Sequence, residues 1–113
     1  LRYGADQARR QKRRFVAVLG SMFELGSEAR AYHRETGETA EEVGVDLLVG
    51  VGEEARWYVE AFAGNTLLYE DAKSAAEGLQ EALKGGEYVV VKGSRGIGLD
   101  FLTSELRDRL TLV

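Results

Sequence analysis

The segment best suited to chemistry is Lys92-Gly93-Ser94-Arg95, which directly follows a run of apolar residues. Lysine supplies a point charge and arginine a planar fork of N–H donors, so the pair suits a carboxylate or a phosphate. Glycines at 93, 96 and 98 let the backbone come close to a ligand, and Ser94 adds a hydroxyl donor. These residues predict an anion site, although a glycine-rich turn with solvated charges fits the composition equally well.

Three other kinds of site are disfavoured or excluded by the sequence. The spacing Gly93, Gly96, Gly98 reverses the dinucleotide pattern G-x-G-x-x-G and occurs late in the chain, so it is a weak signal for NAD. No Gly-Lys pair occurs, so there is no P-loop, and any ATP must be bound mainly elsewhere. The absence of Cys and the presence of one histidine, His33, exclude thiolate chemistry and a zinc cluster.

Two further polar residues are candidates for a site. His33 falls on an apolar helical stripe with Ala29 and Ala40, which favours a packed, hydrogen-bonded histidine over a general base. Glu24 comes just after a predicted strand, in a segment without periodicity. A contact from Glu24 to a ligand, a metal-bound water or a neighbouring loop is therefore as compatible with the pattern as plain solvation.

Short apolar runs predict the strands that must position these residues. Residues 15–19, 46–51 and 88–92 are continuously apolar or nearly so, which is typical of strands buried on both faces, and residues 66–69 form a shorter example. Helical spacing separates the runs, over residues 28–43, 53–62 and 72–83. A further helix is predicted with a stripe of Leu99, Leu102, Leu106 and Leu110.

Capping residues and glycines refine these helices. Ser27 and Asp71 are predicted N-caps, while Gly44 and the pair Gly85-Gly86 are predicted to end helices. Trp57, Tyr58 and Phe62 are expected in the core, with part of Trp57 exposed. Gly37 and Gly78 lie inside predicted helices at a cost of about 1 kcal/mol each relative to Ala, so close packing is expected there.

Strands that alternate with helices require crossover connections. The predicted fold class is therefore α/β, a three-layer, mostly parallel Rossmann-like sheet with helices on both faces. Ligands of such sheets collect at the carboxyl ends of the strands. Four segments should meet at that edge: residues 20–24, 52–54, 70–71 and 92–98.

Length and charge narrow the class of protein. The 113 residues fit one domain, and the net charge of -4 argues against nucleic acid as a partner. The basic run 9–14 is interpreted as the solvated end of a first helix. No apolar run approaches the roughly 18 residues of a membrane span, so we expect a cytoplasmic protein without membrane insertion. We also expect a monomer.

Several spaced motifs point to one family. The stretch Ala17-Val18-Leu19-Gly20-Ser21-Met22-Phe23-Glu24-Leu25-Gly26 is followed by His33 and Gly37, and then by Val91-Lys92-Gly93-Ser94-Arg95. Together they resemble the C-terminal domain of a Mur ligase, whose pattern is V-x-G-D-M-x-E-L-G, H-x-x-x-G and a strand ending in K-G-S-R. The match runs from about Phe15 to the final helix. Ser21 departs from it, because the family usually has Asp there.

The resemblance implies an enzyme of peptidoglycan synthesis, most like those that add D-alanyl-D-alanine to UDP-N-acetylmuramoyl-tripeptide. In such enzymes ATP and magnesium convert the tripeptide carboxylate into an acyl phosphate, which the dipeptide amine attacks. Residues 1–113 are then expected to lack the N-terminal and central domains, which hold the UDP end and the nucleotide. They should also lack the Asn-Ala-Asn-Pro start of their own domain, so the isolated domain is expected to be inactive.

The resemblance also gives the anion site a ligand. A dipeptide nucleophile must be held by its carboxylate so that its neutral amine points at the acyl carbon. We assign Lys92, Gly93, Ser94 and Arg95 to dipeptide binding or domain closure, with Glu24 as a further participant; no catalytic or metal-binding residue is assigned. A stand-alone Rossmann-type module for a nucleotide or small anion, and a purely structural domain, remain alternatives.

Overall fold

The computed structural model describes residues 1–22, 25–93 and 111–112, and its framework is one parallel sheet. The spatial order of the strands is β3-β2-β1-β4-β5, and all four neighbouring pairs are parallel. The predicted α/β class with a parallel sheet is confirmed. The strands are β1 (Phe15–Gly20), β2 (Leu47–Val51), β3 (Asn65–Tyr69), β4 (Tyr88–Lys92) and the two-residue β5 (Thr111–Leu112).

The helices follow the predicted order, with differences at their ends. Two 3-10 turns, Gly26–Glu28 and Glu53–Ala55, lead into the second and third helices. The predicted last helix, with its stripe from Leu99 to Leu110, lies outside the described residues. The described helices are α1 (Arg2–Gln11), α2 (Ala29–Val43), α3 (Arg56–Glu60) and α4 (Ala72–Ala82).

Two details of the predicted helix ends were wrong. Ser27 does not cap α2, because it lies inside the preceding 3-10 turn, whose carbonyls already accept the N–H groups of Glu28 and Ala29. The third helix ends at Glu60 and not at residue 62, because the bonds after it tighten to i→i−3 spacing. The N–H of Ala63 then turns to the Glu41 carboxylate on α2, 2.7 Å away.

The sheet separates two apolar layers. Val16 and Val18 of β1 face α4, whereas Phe15, Ala17 and Leu19 face α1, α2 and α3. All six residues of β1 are buried, as expected for a strand covered on both faces. The predicted core positions Tyr58 and Phe62 belong to the second layer, and Trp57 is partly exposed, as predicted.

Two glycines allow close approach of neighbouring elements, as their places in helices indicated. A Cβ at Gly37 of α2 would collide with the backbone carbonyl of Tyr58 in α3 and lie 3.1 Å from the Ala61 Cβ. A Cβ at Gly78 of α4 would collide with the ring and hydroxyl of Tyr69. Backbone cannot move aside as a side-chain tip can, so Gly37 sets the separation of α2 and α3.

Other predicted helix signals are confirmed. The Asp71 carboxylate accepts the N–H of Ser74 at 2.8 Å, and this hydrogen bond lowers the pKa of Asp71. Gly44 ends α2 in the left-handed region, with φ of 85°. Gly85 and Gly86 also have positive φ and turn the chain toward β4, although α4 itself ends at Ala82.

The basic run near the end of α1 is explained by local contacts. Arg9 pairs with Asp6 at 3.5 Å, Arg13 donates to the Gly86 carbonyl at 3.1 Å, and Arg14 lies 4.0 Å from Glu87. The contacts of Arg13 and Arg14 tie the segment after α1 to the turn before β4, in agreement with the structural interpretation of the run. Within the described residues, no helix has the length and apolar character needed to cross a bilayer.

We predict that Gly37→Ala lowers the free energy of unfolding by about 1–3 kcal/mol, measured by chemical denaturation. At a helix position without close neighbours, replacing Gly by Ala would stabilise the helix by about 1 kcal/mol. A loss of stability would therefore show that the clash with the Tyr58 carbonyl outweighs this gain. Glu38→Ala, at the exposed neighbouring position, is the control and should change stability by less than about 0.5 kcal/mol. A Gly37→Ala protein as stable as the wild type would contradict the packing described.

We predict that Asp71→Ala lowers the melting temperature at pH 7, because it removes the cap on the Ser74 N–H. The folded pKa of Asp71 lies below the unfolded value of about 3.9, so its stabilisation is present above that pH and is lost as the pH falls through the folded pKa. The difference in melting temperature between the two proteins should therefore shrink below about pH 4. Asp71→Asn, which keeps an oxygen acceptor without charge, is the matched control.

Candidate functional site

The segments predicted to meet at one edge follow the carboxyl ends of neighbouring strands. Gly20 of β1 lies opposite Val51 of β2, which in turn lies opposite Tyr69 of β3. On the other side of β1, Leu19 lies opposite Lys92, the last residue of β4. The described parts of all four segments, residues 20–22, 52–54, 70–71 and 92–93, therefore leave the sheet on the same side.

Lys92 and Gly93 are the described part of the predicted anion loop. Lys92 is exposed and, within the described ranges, makes no ion pair or side-chain hydrogen bond. Its charge is thus available beside the end of β1. Ser94, Arg95 and Glu24, the other predicted site residues, lie outside the described residues.

Three consecutive residues, Gly20, Ser21 and Met22, form the exit of β1, and hydrogen bonds to other elements hold the first two. The Tyr58 hydroxyl donates to the Gly20 carbonyl at 2.8 Å. Ser21 donates its N–H to the Val51 carbonyl at 2.9 Å, and its hydroxyl oxygen accepts the N–H of Glu54 at 3.0 Å. Ser21 is 1% exposed, so its hydroxyl ties the exits of β1 and β2 together and is not presented to a ligand.

The third residue of the exit, Met22, is held by His33. The N–H of Met22 donates to His33 Nε2 at 3.1 Å, and His33 Nδ1 lies 2.5 Å from the Ala29 carbonyl. Because Nε2 accepts, the ring proton belongs on Nδ1, where it is donated to Ala29, and the imidazole is neutral. His33 is 0% exposed and both nitrogens are engaged, which confirms the packed histidine and leaves no nitrogen for general-base work.

An aromatic cluster surrounds this histidine. The His33 ring lies 4.7 Å from the ring of Tyr58, 5.6 Å from Trp57 and 5.7 Å from Tyr32, measured between centroids. Burial raises the pKa of the Tyr58 phenol well above its usual range, and nearby Tyr32 and Glu54 add to the shift. Tyr58 is therefore a neutral hydrogen-bond donor to the Gly20 carbonyl at physiological pH.

A groove of about 610 Å³ opens at the exits of β2 and β3, on the far side of β1 from Lys92. Within it, the Arg56 guanidinium donates to the Glu53 carbonyl at 3.2 Å and lies 5.0 Å from the Trp57 ring centroid. The lining mixes acidic, basic and apolar side chains, so it does not have the single sign of charge expected of an anion site. It comprises Gly52, Glu53, Arg56, Leu68, Tyr69 and Glu70.

The described residues do not fit the magnesium ion that the family resemblance implies. Over residues 1–22, 25–93 and 111–112, no group of three or more His, Asp or Glu side chains could hold a metal ion. A cationic Lys92 beside a glycine suits an anion and repels magnesium. We therefore derive no chemical step through magnesium.

Comparison with known proteins decides the family. The family model described as "Mur ligase, glutamate ligase domain" matches residues 1–95. The chain belongs to the Mur ligase family. The motifs that suggested it, around the β1 exit, His33, Gly37 and the end of β4, fall within the matched residues, and the sheet edge described above is part of a Mur ligase C-terminal domain.

Related Mur ligases agree in sequence and in fold. The UDP-N-acetylmuramoyl-tripeptide–D-alanyl-D-alanine ligase of Escherichia coli strain K12 is 31% identical over 102 residues, which cover 85% of this chain and 22% of the relative. A MurF structure from Acinetobacter baumannii superposes with a TM-score of 0.77 at 24% identity, covering 95% of this chain and 25% of that one. The MurF ligase of Thermotoga maritima in complex with ADP gives a TM-score of 0.66 at 27% identity, covering 93% and 25%. The chain thus spans about a fifth to a quarter of the proteins it matches.

Sequence reasoning missed the hydrogen bonds from Ser21, Tyr58 and His33 to neighbouring elements. Their partners lie 33, 38 and 11 residues away along the chain, respectively. Helical periodicity identified His33 and Tyr58 as buried, and burial of a polar ring is the signal that a partner must exist. It does not say which backbone group that partner is.

We predict that Tyr58→Phe lowers the free energy of unfolding by about 1 kcal/mol at pH 7, because it deletes the bond to the Gly20 carbonyl. Because burial raises the pKa of Tyr58 in the folded protein, the stability of the wild type also depends on pH. The contribution of Tyr58 to the free energy of unfolding is complete below the unfolded pKa of about 10 and is lost as the pH rises toward the folded pKa. Phenylalanine does not ionise, so the variant does not lose stability in this way. The difference in free energy of unfolding between wild type and variant should therefore shrink above about pH 10 in denaturation experiments.

Tyr3→Phe is the control for this measurement, because Tyr3 is 69% exposed and its hydroxyl makes no bond in the described residues. It should leave stability unchanged at pH 7. A deficit of Tyr58→Phe that stays constant from pH 7 to pH 11 would show that ionisation of Tyr58 is not linked to folding.

Proposed function

We propose that this chain is the C-terminal domain of a ligase that adds D-alanyl-D-alanine to UDP-N-acetylmuramoyl-tripeptide in peptidoglycan synthesis, and that its part is to position the dipeptide. The name of the Escherichia coli relative supports the substrates. The observation that carries the dipeptide role is the exposed Lys92 at the carboxyl edge of the sheet, which has no ion pair with any described residue and stands at the start of Lys92-Gly93-Ser94-Arg95.

In the proposed reaction, ATP transfers its γ-phosphoryl group to the tripeptide carboxylate, which gives an acyl phosphate and releases ADP. The amine of D-alanyl-D-alanine then attacks the acyl carbon. The new amide bond forms, the acyl–phosphate bond breaks, inorganic phosphate leaves and the amine gives up a proton. The amine must be neutral to attack, whereas the other end of the dipeptide is a carboxylate at neutral pH. A cationic loop distinguishes these two ends and leaves the amine free to face the acyl group.

Each residue of the loop has a proposed task. Lys92 attracts the carboxylate as a point charge, and Arg95 binds it through two parallel N–H donors. Ser94 supplies a hydroxyl donor, and Gly93 lets the backbone approach the ligand. Glu24, two residues after Met22 in the sequence, is the remaining proposed participant.

The rest of the reaction is proposed to reside in other domains of the same protein. ADP is bound in the related Thermotoga maritima ligase, which supports ATP as the energy source. The described residues lack a P-loop and a metal cluster, so we place the nucleotide and magnesium mainly in a central domain and the UDP end in an N-terminal domain. We further propose that the complete protein works as a monomer in the cytoplasm, without nucleic acid.

The test is steady-state kinetics of the full-length ligase. Lys92→Ala should raise the KM for D-alanyl-D-alanine about tenfold or more, because a hydrogen bond to a charged group contributes about 1.5–3 kcal/mol. Arg95→Ala should act in the same direction. The KM for ATP should change by less than about twofold in both, because neither residue is assigned to the nucleotide.

Lys84→Ala is the matched control for loss of a lysine charge. Lys84 is also exposed but lies in the turn before β4, at the opposite edge of the sheet. Its variant should keep the wild-type kinetics. If Lys92→Ala and Arg95→Ala both left the KM for D-alanyl-D-alanine and kcat unchanged, the loop would not be the dipeptide site.

A further inference from the structure

The proposed reaction leaves one buried polar group without a task, the imidazole of His33. The ring is completely buried between α2, α3 and the exit of β1, among three aromatic side chains. An apolar side chain could fill such a place without the cost of desolvating two ring nitrogens. The imidazole therefore has a use that packing alone does not explain.

That use is visible in its two hydrogen bonds. The bond from His33 Nδ1 to Ala29 stays within α2 and fixes the ring orientation and tautomer. The bond from the Met22 N–H to Nε2 connects α2 with the third residue of the exit, which follows Gly20 and Ser21. Met22 lies past the end of the ladder, where an N–H that is withdrawn from water needs such an acceptor.

The exit of β1 is next to the proposed dipeptide site. Leu19, three residues before Met22, is the register partner of Lys92, so β1 and the loop after β4 leave the sheet side by side. Gly20 is fixed by Tyr58, and Ser21 by Val51 and Glu54. His33 accepts the N–H of Met22, the residue of the exit farthest from the sheet.

We infer that His33 is a positioning residue for the dipeptide site, acting through the Met22 N–H to fix the exit of β1 beside Lys92. The inference rests on the proposed function, because it takes Lys92 as part of that site. His33 does not touch the substrate. Its effect is to keep one wall of the site in the geometry that the attacking amine requires, since displacements of an ångström cost large factors in rate.

The test compares three variants in the full-length ligase. His33→Phe keeps a ring in the aromatic cluster but removes the acceptor, and should raise the KM for D-alanyl-D-alanine about tenfold while the KM for ATP changes less than about twofold. His33→Gln can place its side-chain oxygen near the position of Nε2, so it should bring that KM back to within about threefold of wild type. His33→Asn is polar but too short to reach Met22, and should behave like His33→Phe.

Hydrogen exchange of the segment that contains Met22, measured by mass spectrometry, gives a readout independent of catalysis. Exchange there should be faster in His33→Phe and His33→Asn than in the wild type and His33→Gln. If His33→Phe does not fold, the comparison of Gln with Asn carries the same test. Equal kinetics and equal exchange for Gln and Asn, or a loss that affects all substrates alike, would overturn the positioning role.

The two proposals fail in different ways. A wild-type ligase that does not join D-alanyl-D-alanine to the tripeptide would refute the proposed function. The positioning inference would fall with it, even if exchange at Met22 still responded to the His33 variants. An active ligase whose dipeptide KM responds to Lys92→Ala but not to His33→Phe would refute only the inference.

Discussion

The position of β1 in the sheet is the constraint on which the other features depend. It has β2 on one side and β4 on the other, and helices cover both faces, so all six of its residues are buried. Unpaired polar groups within it would each cost about 1–3 kcal/mol, and the parallel ladders on both sides remove that cost along its length. Polar chemistry is therefore confined to the places where the strands end, which is why Ser21, Lys92 and Glu54 all lie at the same edge.

A strand that is buried to its last residue must then have its exit stabilised by something other than water. Two helix side chains, those of Tyr58 and His33, do this together with the hydroxyl of Ser21 in the exit itself. The Ser21 hydroxyl accepts the N–H of Glu54, so an uncharged side chain links the exits of β1 and β2.

Local sequence signals predicted most of the helices and strands but not the side-chain hydrogen bonds that join them. Continuous apolar runs gave the strands, and Asp71 and Gly44 gave two helix ends, because burial, capping and positive φ are properties of a few adjacent residues. Ser27 was wrongly predicted as a cap because it lies inside the 3-10 turn Gly26–Glu28 that precedes α2. The hold of His33 on Met22 and of Ser21 on Glu54 could not be predicted, because each depends on how separate elements pack. Of the predicted site, Lys92 and Gly93 are placed at the expected edge, and Ser94, Arg95 and Glu24 lie outside the described residues.

The exposure of Lys92 limits the affinity that its charge can contribute to a bound carboxylate. Two unit charges 4 Å apart interact by only about 1 kcal/mol in water, but by about 4 kcal/mol where the effective dielectric constant is near 20. An exposed lysine on this edge therefore contributes little affinity for a carboxylate until another surface removes the surrounding water. The cations at the opposite edge, Arg13 and Arg14, contact Gly86 and Glu87 and serve the fold. Lys92 has no such contact in the described part of the chain, so under the proposed function its charge stabilises a bound carboxylate most strongly where another surface excludes water.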